Sequence, residues 1–158
     1  MTVLTRRKFA AGVALLPVLA APGQAQTALP KMLVAKDPSC SCCGSWVGYL
    51  RTNGFTVEVI ESTNMDGIKA ALGVPAALQS CHTAQIGSYV VEGHVPADAI
   101  RRLLREQPHA IGLAVAGMPS SAPGMDVPGA TDVYDVTLFS ASVQRRYARY
   151  RGLREVSG

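Results

Sequence analysis

Three cysteines crowd into Cys40-Ser41-Cys42-Cys43, directly before Gly44, at the point where a strand-like segment gives way to a helical one. On the N-terminal side, Lys31 to Lys36 is a short apolar run that Pro38 stops, and strands end at such a residue. On the C-terminal side, Trp46, Val47 and Leu50 fall at i, i+1 and i+4, which predicts a helix from Gly44 to Asn53, closed by Asn53-Gly54. A helix N-terminus presents unpaired N–H groups and the positive end of the helix dipole, so it favours thiolate over thiol. The chain must therefore fold in a way that gathers reactive sulfurs at a strand-to-helix junction.

The rest of the chain alternates in the same manner. Phe55, Val57 and Val59 alternate with Thr56 and Glu58 and predict a strand over residues 55–60. A helix is expected from Asn64, as cap, to Leu72, with Gly73 ending it. Residues 85–91 read as one strand, and 96–107 as a helix with Ile100, Leu103 and Leu104 on its buried side, closed by Pro108. Residues 111–115 form a short apolar segment, 117–129 a loop rich in Gly and Pro, and 133–139 a last strand. The Arg-rich segment 142–158 is expected to be a terminal helix or a loose tail. With 158 residues this is one domain, and the alternation of elements indicates an α/β fold in which a small mixed sheet is flanked by helices. The main domain is placed at residues 31–141, after a tether over 26–30.

The N-terminus reads as an export signal over residues 1–25. Arg6, Arg7 and Lys8 precede an apolar run from Phe9 to Ala21, and Gly23-Gln24-Ala25 offers small residues for cleavage after Ala25. Thr5-Arg6-Arg7-Lys8-Phe9 also resembles the twin-arginine export pattern, against an ordinary secretory signal that happens to carry two arginines. Removing this segment takes away three basic residues and no acidic one, so the formal charge of +4 falls close to neutral. The remaining arginines read as solvated faces, and no nucleic-acid partner is expected. An apolar fraction of 48% with 16% charged residues excludes a disordered chain. No apolar run reaches the roughly 18–20 residues of a membrane span, so a soluble periplasmic protein is expected.

A domain of this size folds without disulfide staples, so its 4 cysteines call for another explanation. Three readings compete. Two structural disulfides would have to draw partners from the adjacent Cys42 and Cys43, an awkward arrangement. A thiol-disulfide oxidoreductase would use Cys40 and Cys43, which have Cys-x-x-Cys spacing ahead of a helix. A thiolate metal site would use these closely spaced sulfurs, the fourth cysteine lying in Ser80-Cys81-His82-Thr83, and thiolates select Cu(I), Zn(II) or iron–sulfur clusters. Met118 and Met125 lie in the Gly/Pro loop, off any apolar stripe, and thioether sulfur favours Cu(I) over Zn(II). His94 stands at a helix entrance as a further ligand or a satisfied surface histidine, and His109 reads as a surface residue. Trp46 reads either as a core aromatic or as a shield over the sulfurs.

Several motifs in one order then resemble the CopG-type family of bacterial periplasmic copper-resistance proteins, formerly classed only as a domain of unknown function. They are Cys40-Ser-Cys-Cys43, Trp46, Gly73-Val-Pro75, Ser80-Cys-His-Thr-Ala84, Tyr89-Val-Val-Glu-Gly-His-Val-Pro96, Gly112-Leu-Ala-Val115, Gly117-Met-Pro119 and Pro123-Gly-Met125. Ala116 departs from the pattern, where the family is expected to carry proline. The resemblance spans roughly residues 31–139. It implies a thioredoxin-like fold and a cysteine-bridged cluster of several copper ions that serves to interconvert Cu(I) and Cu(II) or to sequester copper. Carried onto this chain, the thiolates are Cys40, Cys42, Cys43 and Cys81, with His94, Met118 and Met125 as further metal ligands. His82 lies within a matched motif without an assigned role. Copper ions are the expected partner, with other periplasmic copper-resistance proteins or a copper exporter as protein partners. A dithiol oxidoreductase and a Cu(I) chaperone without redox activity stand as alternatives.

Overall fold

The computed structural model describes residues 28–157, so the expected export signal and the start of the tether lie outside the described residues. Strand β1 (Met32–Lys36) leads through helix α1 (Ser41–Thr52) to strand β2 (Val57–Glu61), which pairs parallel to β1. Helix α2 (Met65–Ala71) and a 3-10 turn at Ala76–Leu78 lead to strands β3 (His82–Ile86) and β4 (Tyr89–Glu92). Helix α3 (Ala97–Glu106) precedes β5 (Gly112–Ala114), β6 (Val133–Phe139), β7 (Gln144–Arg151) and β8 (Arg154–Glu155). All the strands join one mixed sheet in the order β2-β1-β3-β4-β5-β6-β7-β8. The expected mixed α/β class is borne out. The order β2-β1-β3-β4, with β3 antiparallel to its neighbours β1 and β4, is compatible with a thioredoxin-like core.

Alternation along the strands divides the interior in two. Met32, Val34, Val91 and Leu113 join Trp46 and Leu50 of α1 and Ile100 and Leu103 of α3 on one face. Val90 and Ala114, each adjacent in sequence to one of those strand residues, pack with Val74, Leu78 and Phe139 on the other. Local signals place the helix ends. The Asn64 side chain accepts a hydrogen bond from the Gly67 N–H and caps α2, and Gly54, at φ 82°, leads the chain out of α1.

Three expectations are corrected. Helix α1 begins at Ser41, not Gly44, which places Cys42 and Cys43 inside its first turn. The single strand expected over 85–91 is a hairpin, because Gly87 takes a positive φ of 58° as the first of two turn residues between Ile86 and Tyr89. The segment after Ser142 is neither helix nor tail. β7 pairs along its length with β6, and Tyr150 and Tyr147 donate hydroxyl hydrogen bonds to Asp98 and Glu106 at the two ends of α3.

Candidate metal centre

The start of α1 and the loop before β3 bring all four cysteines together. Cys40 is the N-cap residue of α1, and Cys43 is fully buried and joined to Cys40 by a disulfide. Cys42 and Cys81 are free and half-buried. The Cys42 sulfur lies 3.6 Å from that of Cys40 and 3.9 Å from that of Cys81. The four sulfurs all fall within 4.8 Å of one another. Because α1 carries no acidic residue in its first turn, nothing there opposes the pull of its N-terminus on thiolate charge.

Cys81 also belongs to a second group. Its sulfur lies 3.1 Å from Nε2 of His94 and 3.3 Å from Nδ1 of His82. Nδ1 of His94 lies 2.8 Å from the Pro123 carbonyl, which can only accept, so the neutral ring carries its proton there and turns its Nε2 lone pair toward Cys81. Both histidines are fully buried, which rules out a surface role for His94. Burial pushes both imidazole pKa values down, with His94 adding to the effect on His82, so both rings favour the neutral form, the one in which an imidazole can ligate a metal. Burial, followed by the neighbouring Cys42, pushes the Cys81 thiol up to about 11, so a cation must displace its proton to bind.

These neutral imidazoles make the fold acid-sensitive. The unfolded chain takes up protons on both rings near the ordinary histidine value of about 6.5, while the folded chain resists until lower pH. Stability of the metal-free protein is therefore expected to be intact above that value and to fall as the pH drops below it toward the folded-state values. Urea midpoints measured at neutral pH and down to about pH 5 should show this fall, and replacing both rings by glutamine should flatten it.

The surroundings fix these side chains. Trp46 is fully buried, donates its indole N–H to the Val95 carbonyl at 3.0 Å and packs its ring 4.3 Å from that of His82. It is both a core aromatic and a cover on the histidine side of the group. Gly93 has a φ of 69°, and a Cβ there would sit 2.6 Å from both Ser80 Cβ and the Val115 carbonyl, so glycine allows the His94 and Cys81 loops to touch. On the opposite face of the sheet, buried Lys69 reaches Glu92 at 2.6 Å and Thr83 at 2.8 Å, and Glu92 accepts the Ser80 N–H at 2.6 Å. Sequence reasoning missed this network and left His82 without a role.

The methionines are placed less centrally. Met118 is 58% exposed, next to Gly117, whose carbonyl accepts the Ser80 hydroxyl and whose N–H bonds Gln79 at 3.2 Å. The 117–119 loop is thereby fastened to the loop that carries Cys81. Met125 is half-buried against the larger core cluster, and its neighbour Gly124 lies against the Trp46 backbone, where a Cβ would approach the amide nitrogen to 2.5 Å. His109 lies outside the group, on the wall of a surface groove between the loop after α3 and the β6–β7 turn.

Sulfur and neutral imidazole donors gathered at a helix N-terminus on a mixed sheet define an α/β protein with a cysteine-rich cluster able to bind a soft metal ion. The family described as "Protein of unknown function, DUF411" matches residues 78–125, the stretch that holds Cys81, His82 and His94. Two solved structures of the copper resistance protein CopG are similar over most of the chain. Form 2 is 39% identical over 77% of this chain and 98% of its own, with a TM-score of 0.73. Form 1 is 39% identical over 78% of this chain and 99% of its own, also with a TM-score of 0.73. No curated protein matches the chain. The chain belongs to the CopG copper-resistance family, as its motifs indicate. Among the described residues no helix is long and apolar enough to cross a membrane.

Proposed function

We propose that the chain is a periplasmic copper-binding protein of copper resistance in which Cys40, Cys42, Cys43 and Cys81 bridge several Cu(I) ions and His94, Met118 and Met125 complete their coordination. The observation that carries this reading is the mutual approach of the four sulfurs to within 4.8 Å, too close for four separate roles and suited to shared ions. Reduction of the Cys40–Cys43 disulfide by an external dithiol, which is itself oxidised to a disulfide, supplies the remaining thiols, which lose their protons as the metal enters. Histidine beside thiolate accommodates both oxidation states of copper, so the same centre is suited to interconverting Cu(I) and Cu(II) when an external one-electron acceptor or donor takes or supplies the electron. The test is elemental analysis after anaerobic reconstitution with Cu(I), together with a thiol count. Several copper ions per chain, and thiols that react only after the metal is stripped, are expected. One weakly bound ion or none would overturn the cluster.

The Cys40–Cys43 disulfide itself supports a second reading, a thiol-disulfide oxidoreductase in which one of these sulfurs attacks a partner disulfide and the other resolves it. Insulin reduction by the metal-free dithiol form separates the two. Turnover with a dithiol co-substrate favours this reading, and its absence alongside tight copper binding favours the cluster.

A further inference from the structure

We propose that the uncovered face of β6, β7 and β8 is a docking surface for an anionic lipid bilayer. It lies apart from the metal centre and does not depend on what that centre binds. Residues 142–158 hold five arginines and one acidic residue, whereas residues 26–141 hold seven basic and ten acidic ones. The positive charge of the domain is therefore gathered at one end of the sheet, where a negative surface attracts and orients it.

The strand register sends most of that charge to one side. Tyr134, Val136, Leu138, Ala148 and Tyr150 turn inward, to the cluster that contains Trp46 of α1. Arg146, Arg149 and Arg151 stand across from Thr137, Asp135 and Val133 on the other face. Glu155 pairs with Tyr150 and reaches Arg102 of α3 at 3.5 Å, so Arg154, paired with Arg151, points away from α3. Val133, Arg146, Arg151 and Arg154 are exposed there, and Arg149 is half-buried. Asp135 is the acidic residue of this face, and Arg149 bonds it at 2.6 and 3.1 Å. Arg146, Arg151 and Arg154 have no ion-pair partner among the described residues, which leaves three unmatched positive charges on one face.

The chemistry of the face selects a bilayer over a single anion or an acidic loop. β7 is about 27 Å long, so its guanidinium groups span several headgroups rather than one ion. A guanidinium fork takes phosphate oxygens in pairs while its stem lies along apolar atoms. Apolar side chains are exposed beside these arginines, Val133 on the face itself and Val143 and Leu153 at either end of β7. The boundary between headgroups and acyl chains accepts such side chains together with the charges. Charges kept only to shield a sheet edge from pairing need no apolar neighbours. Because α1 packs on the opposite side of the sheet, a protein seated this way keeps α1 and its cysteines on the side away from the lipid.

The test uses the chain from Gln26 onward, which keeps every described element and omits the apolar run Phe9 to Ala21. Co-sedimentation is measured with vesicles of phosphatidylcholine alone and with an equal part of phosphatidylglycerol, at low and at physiological salt. Binding is expected with the anionic vesicles, weakening as salt rises, and not with the neutral ones. Arg151→Gln/Arg154→Gln should lower the partition coefficient by about 25-fold, or about fivefold for each arginine. Arg51→Gln/Arg105→Gln removes the same charge from exposed positions on α1 and α3 and should lower it by less than about threefold. All four positions are exposed, so urea midpoints should stay in place and both double variants remain readable. No binding, equal binding to neutral vesicles, equal loss in the two double variants, or capture of poly-glutamate in place of the vesicles would overturn the bilayer surface. Copper content is read separately, so failure of the cluster and failure of this surface give different results.

Discussion

Cys42→Ser is expected to remove at least half of the copper from the anaerobically reconstituted protein while leaving its unfolding midpoint nearly unchanged. The Cys42 sulfur stands between the two halves of the group, 3.6 Å from Cys40 and 3.9 Å from Cys81. An ion shared by the helix sulfurs and the Cys81 loop finds the Cys42 sulfur near both, and a serine hydroxyl in its place is a hard, weak ligand for Cu(I). Stability should change little because Cys42 is half-buried and makes no structural bond, so the cost is within about 0.5 kcal/mol. Cys43→Ser differs, because that sulfur is fully buried and its loss combines a packing defect with a lost ligand. Copper per chain and the urea midpoint, measured on the same preparations, separate the two effects. Full copper content in Cys42→Ser would overturn the bridged cluster.

The sequence revealed the parts of this molecule that depend on local chemistry. The strand Val133–Phe139 was legible to the residue because its apolar alternation is uninterrupted, and the Asn64 cap was legible because its side chain acts on the adjacent turn. The start of α1 was not, since cysteines carry little helical signal and the apolar stripe that marks the helix begins only at Trp46. β7 was hidden by its arginines. Its buried side rests on Tyr147 and Tyr150, and their partners Glu106 and Asp98 lie on a helix that no local pattern connects to it. The site divides in the same way. The motifs reveal the cysteines and His94. The burial of His82, and its approach to Cys81 and Trp46, follow from the pairing of β3 with β1 and the packing of α1 above them.

Lys69→Met is expected to destabilise the fold by about 3–5 kcal/mol, a large effect for a residue that touches none of the candidate metal ligands. Its ammonium is buried and paired with the fully buried Glu92 at 2.6 Å, and Thr83 bonds both partners, to Lys69 at 2.8 Å and to Glu92 at 2.5 Å. Removing the lysine leaves a carboxylate buried without its counter-charge. The double variant Lys69→Met/Glu92→Gln removes both charges and should lose much less than the sum of the two single variants, because a buried pair gives little net stability over neutral replacements. Glu92 also receives the Ser80 N–H, one residue before Cys81, while the chain turns at Gly93 to direct His94 at that same sulfur. The double variant should therefore keep most of its stability and much of its copper, since glutamine still offers an acceptor to Ser80. Glu92→Ala, which offers none, should lose copper as well as stability. Urea midpoints across the four-member cycle, with copper content for the Glu92 variants, check both parts. Additive losses across the cycle would show that the charges act independently, and unchanged copper in Glu92→Ala would show that the Cys81 loop holds its place without them.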